Sequence, residues 1–368
     1  MAAGTDQLEY AEEELLASHD YAEPLVADGI RCHGGFDADG HYVSPRTKHR
    51  WPAIRAWEAA REEQFGTPLL DVPLDTWPAS FPNVEQSKFL IRHGVPGPTI
   101  ASLTRIGTVE GFGGMLRLLP VPDFSRLFVE DVRGTAIAHI DRGLFEAHAR
   151  DEAGHEGEAG HKEMWFVARD LAFEHPVSED ETARMIERMG IGGGRSRAPE
   201  QATKADARAG RLLPDGIDDR LEVLISRMIG LLLIEISAFH SFAWAEAVLS
   251  DEELVAGEGA AAELVRHIRS DETPHVAWLR TALSEMRDRT FVGEDGRRYP
   301  GTEMIGRLWD RGVDESLHVR RQENLAGTWR EIEHAVAGRR DKDDLLAEMM
   351  SLGTVVRQED GTFVEGNG

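Results

Sequence analysis

One cysteine, Cys32, stands in 368 residues, so no intramolecular disulfide can form, and a reducing compartment, the cytoplasm, is expected. Long apolar runs are missing too. The most apolar stretch, residues 228–238, is broken by Gly230 and Glu235, and no window of the roughly 18 apolar residues that cross a bilayer occurs, so no membrane partner is expected. Basic residues are outnumbered, 41 Lys and Arg against 66 Asp and Glu, for a formal charge of −25. Such a surface repels phosphates, which argues against a nucleic-acid partner. The acidic start, residues 1–17, has neither the basic end nor the apolar centre of a signal peptide. Tyrosine is scarce: Tyr10, Tyr21, Tyr42 and Tyr299 all lie outside residues 100–290.

What is present is an ordinary globular composition, 41% apolar and 29% charged, in a chain long enough for a sizeable core. Residues 1–23 read as a short acidic surface helix. Beyond Gly29, Asp39-Gly40 between apolar alternations predicts a small hairpin, and His33, His41 and His49 read as solvated loop histidines. A helix is expected over 51–65, with Pro52 in its first turn. Six prolines between residues 67 and 98 (Pro68, Pro73, Pro78, Pro82, Pro96 and Pro98) predict an irregular wrap. Residues 1–97 are therefore expected as an extension around a helical bundle at 98–290, with C-terminal helices and a tail at 291–368. Helices are expected over 99–119, from an N-cap at Asp123 through Ile140, then over 144–174, 218–249, 260–287, 304–337 and 342–352. Asp141-Arg142-Gly143 reads as a turn, and residues 189–216 as a loop dividing the helical region in two.

Each half carries one Asp-Glu-x-x-His: Asp151-Glu152-Ala153-Gly154-His155 and Asp271-Glu272-Thr273-Pro274-His275. On a helix, residues i and i+3 lie about 60° apart, so each Glu and His can face one point. Bundles that hold two irons or manganeses take one Glu from each of two helices and Glu-x-x-His from each of the other two. Glu235, within Gly230-Leu231-Leu232-Leu233-Ile234-Glu235-Ile236, is a buried ionisable group that needs compensation. A metal is the preferred reading, and an ion pair with Arg227 or Arg269 the structural alternative. Glu235 and Glu272 are equidistant from the expected loop at 250–259, which sets them at one height in an antiparallel hairpin. Glu130 and His155 straddle Asp141-Arg142-Gly143 in the same way. Glu158-Ala159-Gly160-His161 offers a second first-half pair, Glu158 and His161, and Glu110 a further single Glu. His148 shares a face with Glu152 and His155 and is a candidate seventh ligand. Gly154, Gly157 and Gly160 weaken a helix by roughly 1 kcal/mol each, so either a neighbouring backbone packs very close or the helix is interrupted. Trp165, Trp244 and Trp278 read as core or pocket wall.

This doubled motif resembles the ferritin-like di-iron carboxylate superfamily, and most closely its arylamine N-oxygenase branch, in which each half carries a Glu, a spacer and Asp-Glu-x-x-His. The resemblance covers roughly residues 100–290. It implies a mainly α fold, a ferritin-like helical bundle (or the nearby heme-oxygenase-like one), here with an irregular N-terminal extension containing the small hairpin. By position it implies metal ligands at Glu235, Glu272 and His275, and at Glu152 and His155. The first-half single Glu departs from the pattern: 35 residues separate Glu235 from Asp271, against 20 for Glu130 and 40 for Glu110. Glu130 is taken as that ligand, with Glu110, Glu158 and His161 as alternatives. Asp151 and Asp271 would accept the His N–H of the opposite motif and fix its orientation.

The implied cofactor is two Fe ions, with Mn as the other metal that suits hard oxygen donors and two imidazoles. The implied activity is that of a non-heme di-iron oxygenase or oxidase that activates O2 to oxidise a small organic substrate, by N-oxygenation or C–H oxidation. An electron donor such as a ferredoxin and a homodimeric assembly go with it. The placement of the four tyrosines argues against a stable tyrosyl radical. Two other functions compete: a ferritin-like ferroxidase or iron-handling protein, and a metal-free helical binding protein whose His/Glu stretch is merely solvated.

Overall fold

A computed structural model describes residues 8–173, 177–189 and 210–366. The protein is mainly helical, with a few short strands at its periphery. Eleven helices longer than a turn occur among the described residues: α1 Arg50–Phe65, α2 Val84–Arg92, α3 Gly97–Glu110, α4 Phe145–Ala153, α5 His161–Phe173, α6 Glu179–Met189, α7 Asp219–Leu249, α8 Ala260–Arg287, α9 Gly301–Asp314, α10 Arg320–Val336 and α11 Lys342–Ser351. The strands are β1 Glu23–Ala27, β2 Ile30–Phe36, β3 Tyr42–Val43, β4 Thr290–Val292, β5 Arg298–Pro300, β6 Val355–Arg357 and β7 Phe363–Glu365.

The frame around the site is made by α3, α4–α5, α7 and α8. The last two form an antiparallel hairpin, α8 packs on α5, and α5 on α3. Asp218 caps α7 by accepting the Arg220 N–H, where the sequence places that helix's start. The apolar core is split. Residues Met228–Ile236 of α7 and Ala277–Met286 of α8 join one cluster of side chains. Residues Ala238–Leu249 of α7 and Ala261–Ile268 of α8 join another. Between the two lies a buried polar layer that neither cluster absorbs, and it contains Glu152, Glu235, Glu272, His161 and His275.

Several expectations change. The N-terminal segment is not an acidic helix to residue 23: one helical turn, Glu12–Leu15, precedes β1, and residues 1–7 lie outside the described part. β1, β2 and β3 make an antiparallel three-stranded sheet whose β2–β3 turn holds Asp39-Gly40. The Pro-rich stretch contains α2, started by a capping box between Asn83 and Gln86. No helix runs from Asp123 to Ile140. There the chain makes two short 3-10 turns, and residues 127–130 lie along β4: Val129 N–H donates to Thr290 O, and Val292 N–H to Leu127 O. The helix expected over 99–119 ends at Glu110, beyond which Gly113–Leu118 is 3-10. Residues 190–209 of the expected 189–216 loop lie outside the described residues.

The helix expected over 144–174 is interrupted. α4 stops at Ala153 and α5 starts at His161, with a tight excursion between them in which Gly154 takes φ +77°. A Cβ on Gly160 would collide with the backbone of Gly154, Asp151 and Glu152, so only glycine closes this excursion. Its far side is pinned to β2 by His33 N–H to Ala159 O and Ala159 N–H to Arg31 O.

Candidate metal centre

Four helices bring Glu110 (end of α3), Glu152 (α4), Glu235 (α7) and Glu272 (α8) into the polar layer, and each is less than a tenth exposed. His148, His161 and His275 join them, all with zero exposure. His161 Nδ1 lies 2.7 Å from Glu272 Oε1 and 3.2 Å from Glu152 Oε1. His275 Nδ1 lies 2.7 Å from Glu272 Oε2 and 3.2 Å from Glu152 Oε1. Two overlapping sets result, His148/Glu152/Glu235/His275 and Glu152/His161/Glu272/His275, and within each the donor atoms are all within 4.8 Å of one another. Glu152 and His275 belong to both.

The outer faces of these histidines meet two aspartates. His275 Nε2 is 2.9 Å from Asp151 Oδ2, and His161 Nε2 is 3.5 Å from Asp271 Oδ2. Asp151 thus orients His275 of the other half by a hydrogen bond, and Asp271 faces His161 across a longer gap. Asp151 is held by two buried guanidiniums, Arg46 Nε at 2.6 Å and Arg50 at 2.7 Å. Burial alone would raise its carboxyl, but Arg46 and Arg50 outweigh that and keep it well below the usual range. Arg46 takes a left-handed φ of 51°, uncommon for a non-glycine residue and sustained here by its ion pair. Asp271 has a different escort: Tyr42 O–H donates to its Oδ2 at 2.8 Å, and His33 Nε2 lies 3.2 Å from the same oxygen.

Electrostatics fit a cation-demanding layer. Burial, then the charges of Glu152, Glu272 and Glu235, push the Glu110 carboxyl well above its ordinary range. Glu235 is raised by burial and by Glu272 and Glu152. For Glu152 burial acts upward but loses to His161 and His275, so it stays ionised. Burial would lower His275, yet Glu272 and Asp151 raise it well above its usual value. His148 goes the other way, lowered to about 3 by burial and by His275, on which it stacks at 3.8 Å. Trp278 Nε1–H donates to His148 Nδ1 at 3.3 Å, so the neutral ring carries its proton on Nε2, 3.1 Å from Glu235 Oε1. In this arrangement Nε2 faces Glu235 without a well-directed hydrogen bond.

Glu152 Oε2, Glu272 Oε1, His148 Nε2 and His161 Nε2 are buried without a well-directed hydrogen bond. Orphaned polar atoms at this density are uncommon in a folded interior. Carboxylates and imidazoles aimed at one volume are a donor set that could hold a metal ion.

The sequence-predicted residues divide clearly. Glu152, Glu235, Glu272, His275 and His148 come together, with Asp151 and Asp271 behind them. Glu130 does not: its two oxygens accept the N–H and O–H of Thr290 beside β4, because the helix expected to carry it is not formed. His155 is turned out of the layer, a third exposed and 3.4 Å from Glu156, because α4 has already ended. Glu158 is also outside, paired with Arg31. Of the alternatives, His161 stands in the cluster, and Glu110 lies near enough to feel the charges of Glu152, Glu272 and Glu235. Arg227 is exposed and Arg269 pairs with Glu246, so neither neutralises Glu235. His33 is not a solvated loop residue but fully buried on Asp271. Tyr42, although outside residues 100–290, reaches the same oxygen through the hairpin, which removes the ground on which a nearby tyrosine was excluded. Nothing in the local sequence marks His33, Tyr42, Arg46 or Arg50, since their partners are over 100 residues away.

A cavity of about 430 Å³ lies beside this layer, between α3, α7, α10 and residues 77–82, and Glu110 is part of its wall. Among the described residues no helix is long and apolar enough to cross a membrane. No family model, curated protein or solved structure matches the chain.

Proposed function

We propose that the protein is an O2-dependent oxidase or oxygenase in which Glu110, Glu152, Glu235, Glu272, His161 and His275 hold two iron or manganese ions, acting on a small organic substrate. The observation that carries this reading is the convergence of buried Glu152, Glu235, Glu272, His161 and His275 from four helices, with Glu110 of a fifth beside them and Asp151 and Asp271 behind the imidazoles. The frame of α3, α4–α5, α7 and α8 is read as a ferritin-like bundle. Bound, such a metal pair supplies redox chemistry that reduces O2.

The chain's own residues have separable tasks. Asp151 accepts the outer N–H of His275, and the Asp271 carboxylate stands 3.5 Å from the outer nitrogen of His161, so each Nδ1 is turned towards the carboxylates. Arg46 and Arg50 keep Asp151 ionised for that task. His148 holds a proton next to Glu235, where Trp278 fixes its tautomer. The apolar clusters above and below exclude water from the polar layer. The neighbouring cavity favours a substrate-oxidising enzyme over an iron store, because it gives a molecule of some size access to the Glu110 side.

Metal content of protein purified from iron-replete and from manganese-replete cultures tests the reading. About two equivalents in the wild type, lost in Glu235→Ala, are expected. Folded protein without metal under both regimes would refute it, and the layer would then be a metal-free ionic network in which protonated His161 and His275 offset the carboxylates.

A further inference from the structure

The cavity beside Glu110 is not electrically neutral. Three arginines line it, Arg105, Arg320 and Arg321. Arg320 is paired with Glu315 at 3.1 Å, and Arg321 with Glu365 at 3.0 Å while also donating to Ala79 O. Arg105, half-buried on α3, has no hydrogen bond or ion pair among the described residues. Burial and the charge of Arg321 both pull its guanidinium below the ordinary arginine range. An arginine so placed, with five donors and no acceptor, lacks a partner that the protein does not provide. Two carboxylates also face the cavity: Glu110 at the metal layer, and Glu323, exposed. The remaining wall mixes apolar side chains such as Phe81, Ile106, Val109 and Trp244 with hydroxyls such as Ser102 and Ser237.

We infer that the substrate is a small organic carboxylate, whose anionic end is bound by Arg105 while its apolar body lies along the cavity wall with the reacting end at Glu110. This rests on the proposed function for the identity of the reacting end, but not for the anion site. A single uncompensated guanidinium matches one negative charge, which favours a carboxylate over a phosphate dianion. Arg105 and Glu110 are five residues apart, about 7.5 Å of helix rise, a span comparable to one aromatic ring or a short alkyl chain.

The test is binding of a panel of probes to the purified protein by calorimetry: benzoate, hexanoate and octanoate, each beside its primary amide, with phenyl phosphate as the dianion. The wild type is expected to bind at least one carboxylate about 10-fold or more tightly than its amide, the usual scale of a charge-assisted contact. Arg105→Gln should lose that preference while keeping its thermal melting profile, and Arg105→Lys should keep part of it. Equal affinity for acid and amide, a preference that survives Arg105→Gln, or no binding of any carboxylate at 10 mM would each overturn the inference, and tighter phenyl phosphate binding would replace the carboxylate by a phosphate monoester. Metal content measured on the same samples separates the two readings. Two equivalents of metal without anion preference sinks only the carboxylate, whereas metal-free protein that still prefers acids through Arg105 sinks only the metal centre.

Discussion

Replacing Glu235 by Gln changes stability in opposite directions with and without metal. In the metal-free protein Glu235 faces Glu152 with oxygens within 4.8 Å, and an ionised pair at that distance repels by about 3.5 kcal/mol at an effective dielectric near 20. Protonation avoids the repulsion at a similar cost: holding a carboxyl of ordinary pKa near 4.5 neutral at pH 7 takes about 3.4 kcal/mol. Gln has the same shape and no charge, so metal-free Glu235→Gln should be more stable than metal-free wild type by up to about 3 kcal/mol. For a chain of this size that is a rise in melting temperature of roughly 3–6 °C. With metal the order reverses. Two ions at about 100 times their dissociation constants add about 5 kcal/mol to the wild type, and the variant, lacking a ligand, should not respond. Calorimetry in EDTA and again with ferrous or manganous ion, under argon, reads both limbs. If Glu235 is instead half of a structural pair with His148, the metal-free variant should melt lower, by the roughly 3–5 kcal/mol that breaking a buried pair costs. That result, with unchanged metal content, would refute the reasoning.

His161→Ala should lose metal, whereas His155→Ala should keep both equivalents and melt within about 0.5 kcal/mol of wild type, as surface changes do; elemental analysis and thermal melts distinguish the two residues. Arg50→Met should destabilise the protein by about 3–5 kcal/mol in denaturant unfolding, because Asp151 stays buried with a partner removed. Glu285, which accepts the N–H groups of Ala136 and Ile137, is raised to about 7, chiefly by burial. Its folded form therefore binds a proton more tightly than its unfolded form, so the stability it adds is full below about pH 4.5 and is lost as pH rises towards 7. Relative to Glu285→Gln, the wild type should lose about 2.5 kcal/mol between pH 5 and pH 8 in urea unfolding, and a difference independent of pH would contradict the assignment.

The second half of the site was legible in the sequence because its geometry is local. Glu235 sits in an apolar run, Glu272 and His275 share one helical turn, and a ten-residue loop joins their helices, so periodicity and the midpoint of the hairpin suffice. The single Glu of the first half was not. Its midpoint argument needed a helix through Glu130, and pairing with β4 replaced that helix, a long-range contact that local propensity does not register. The outer partners were illegible for a related reason. Tyr42, His33, Arg46 and Arg50 come from the segment read as a wrap, and only the closed fold sets them against Asp271 and Asp151.

The first-half motif carries its own explanation in the residues. Glu152-Ala153-Gly154-His155-Glu156-Gly157 is followed by Glu158-Ala159-Gly160-His161, a repeat of Glu-Ala-Gly-His at a spacing of six. The fold brings the Glu of the first copy together with the His of the second. Removing residues 154–159 on paper leaves Asp-Glu-Ala-Gly-His, the same register as Asp271-Glu272-Thr273-Pro274-His275, with His161 in the fifth position. The six residues form a loop between the two helices, and their backbone joins β2 at Arg31 and His33 through Ala159. A motif match scored on contiguous residues therefore selects His155, since it has the right neighbours and the wrong place. The glycines were the usable sign: three in seven residues, two of them at positive φ, are incompatible with an unbroken helix. Once the helix is taken as interrupted, the next His that begins a helix is His161, and it is the one that meets Glu152 and Glu272.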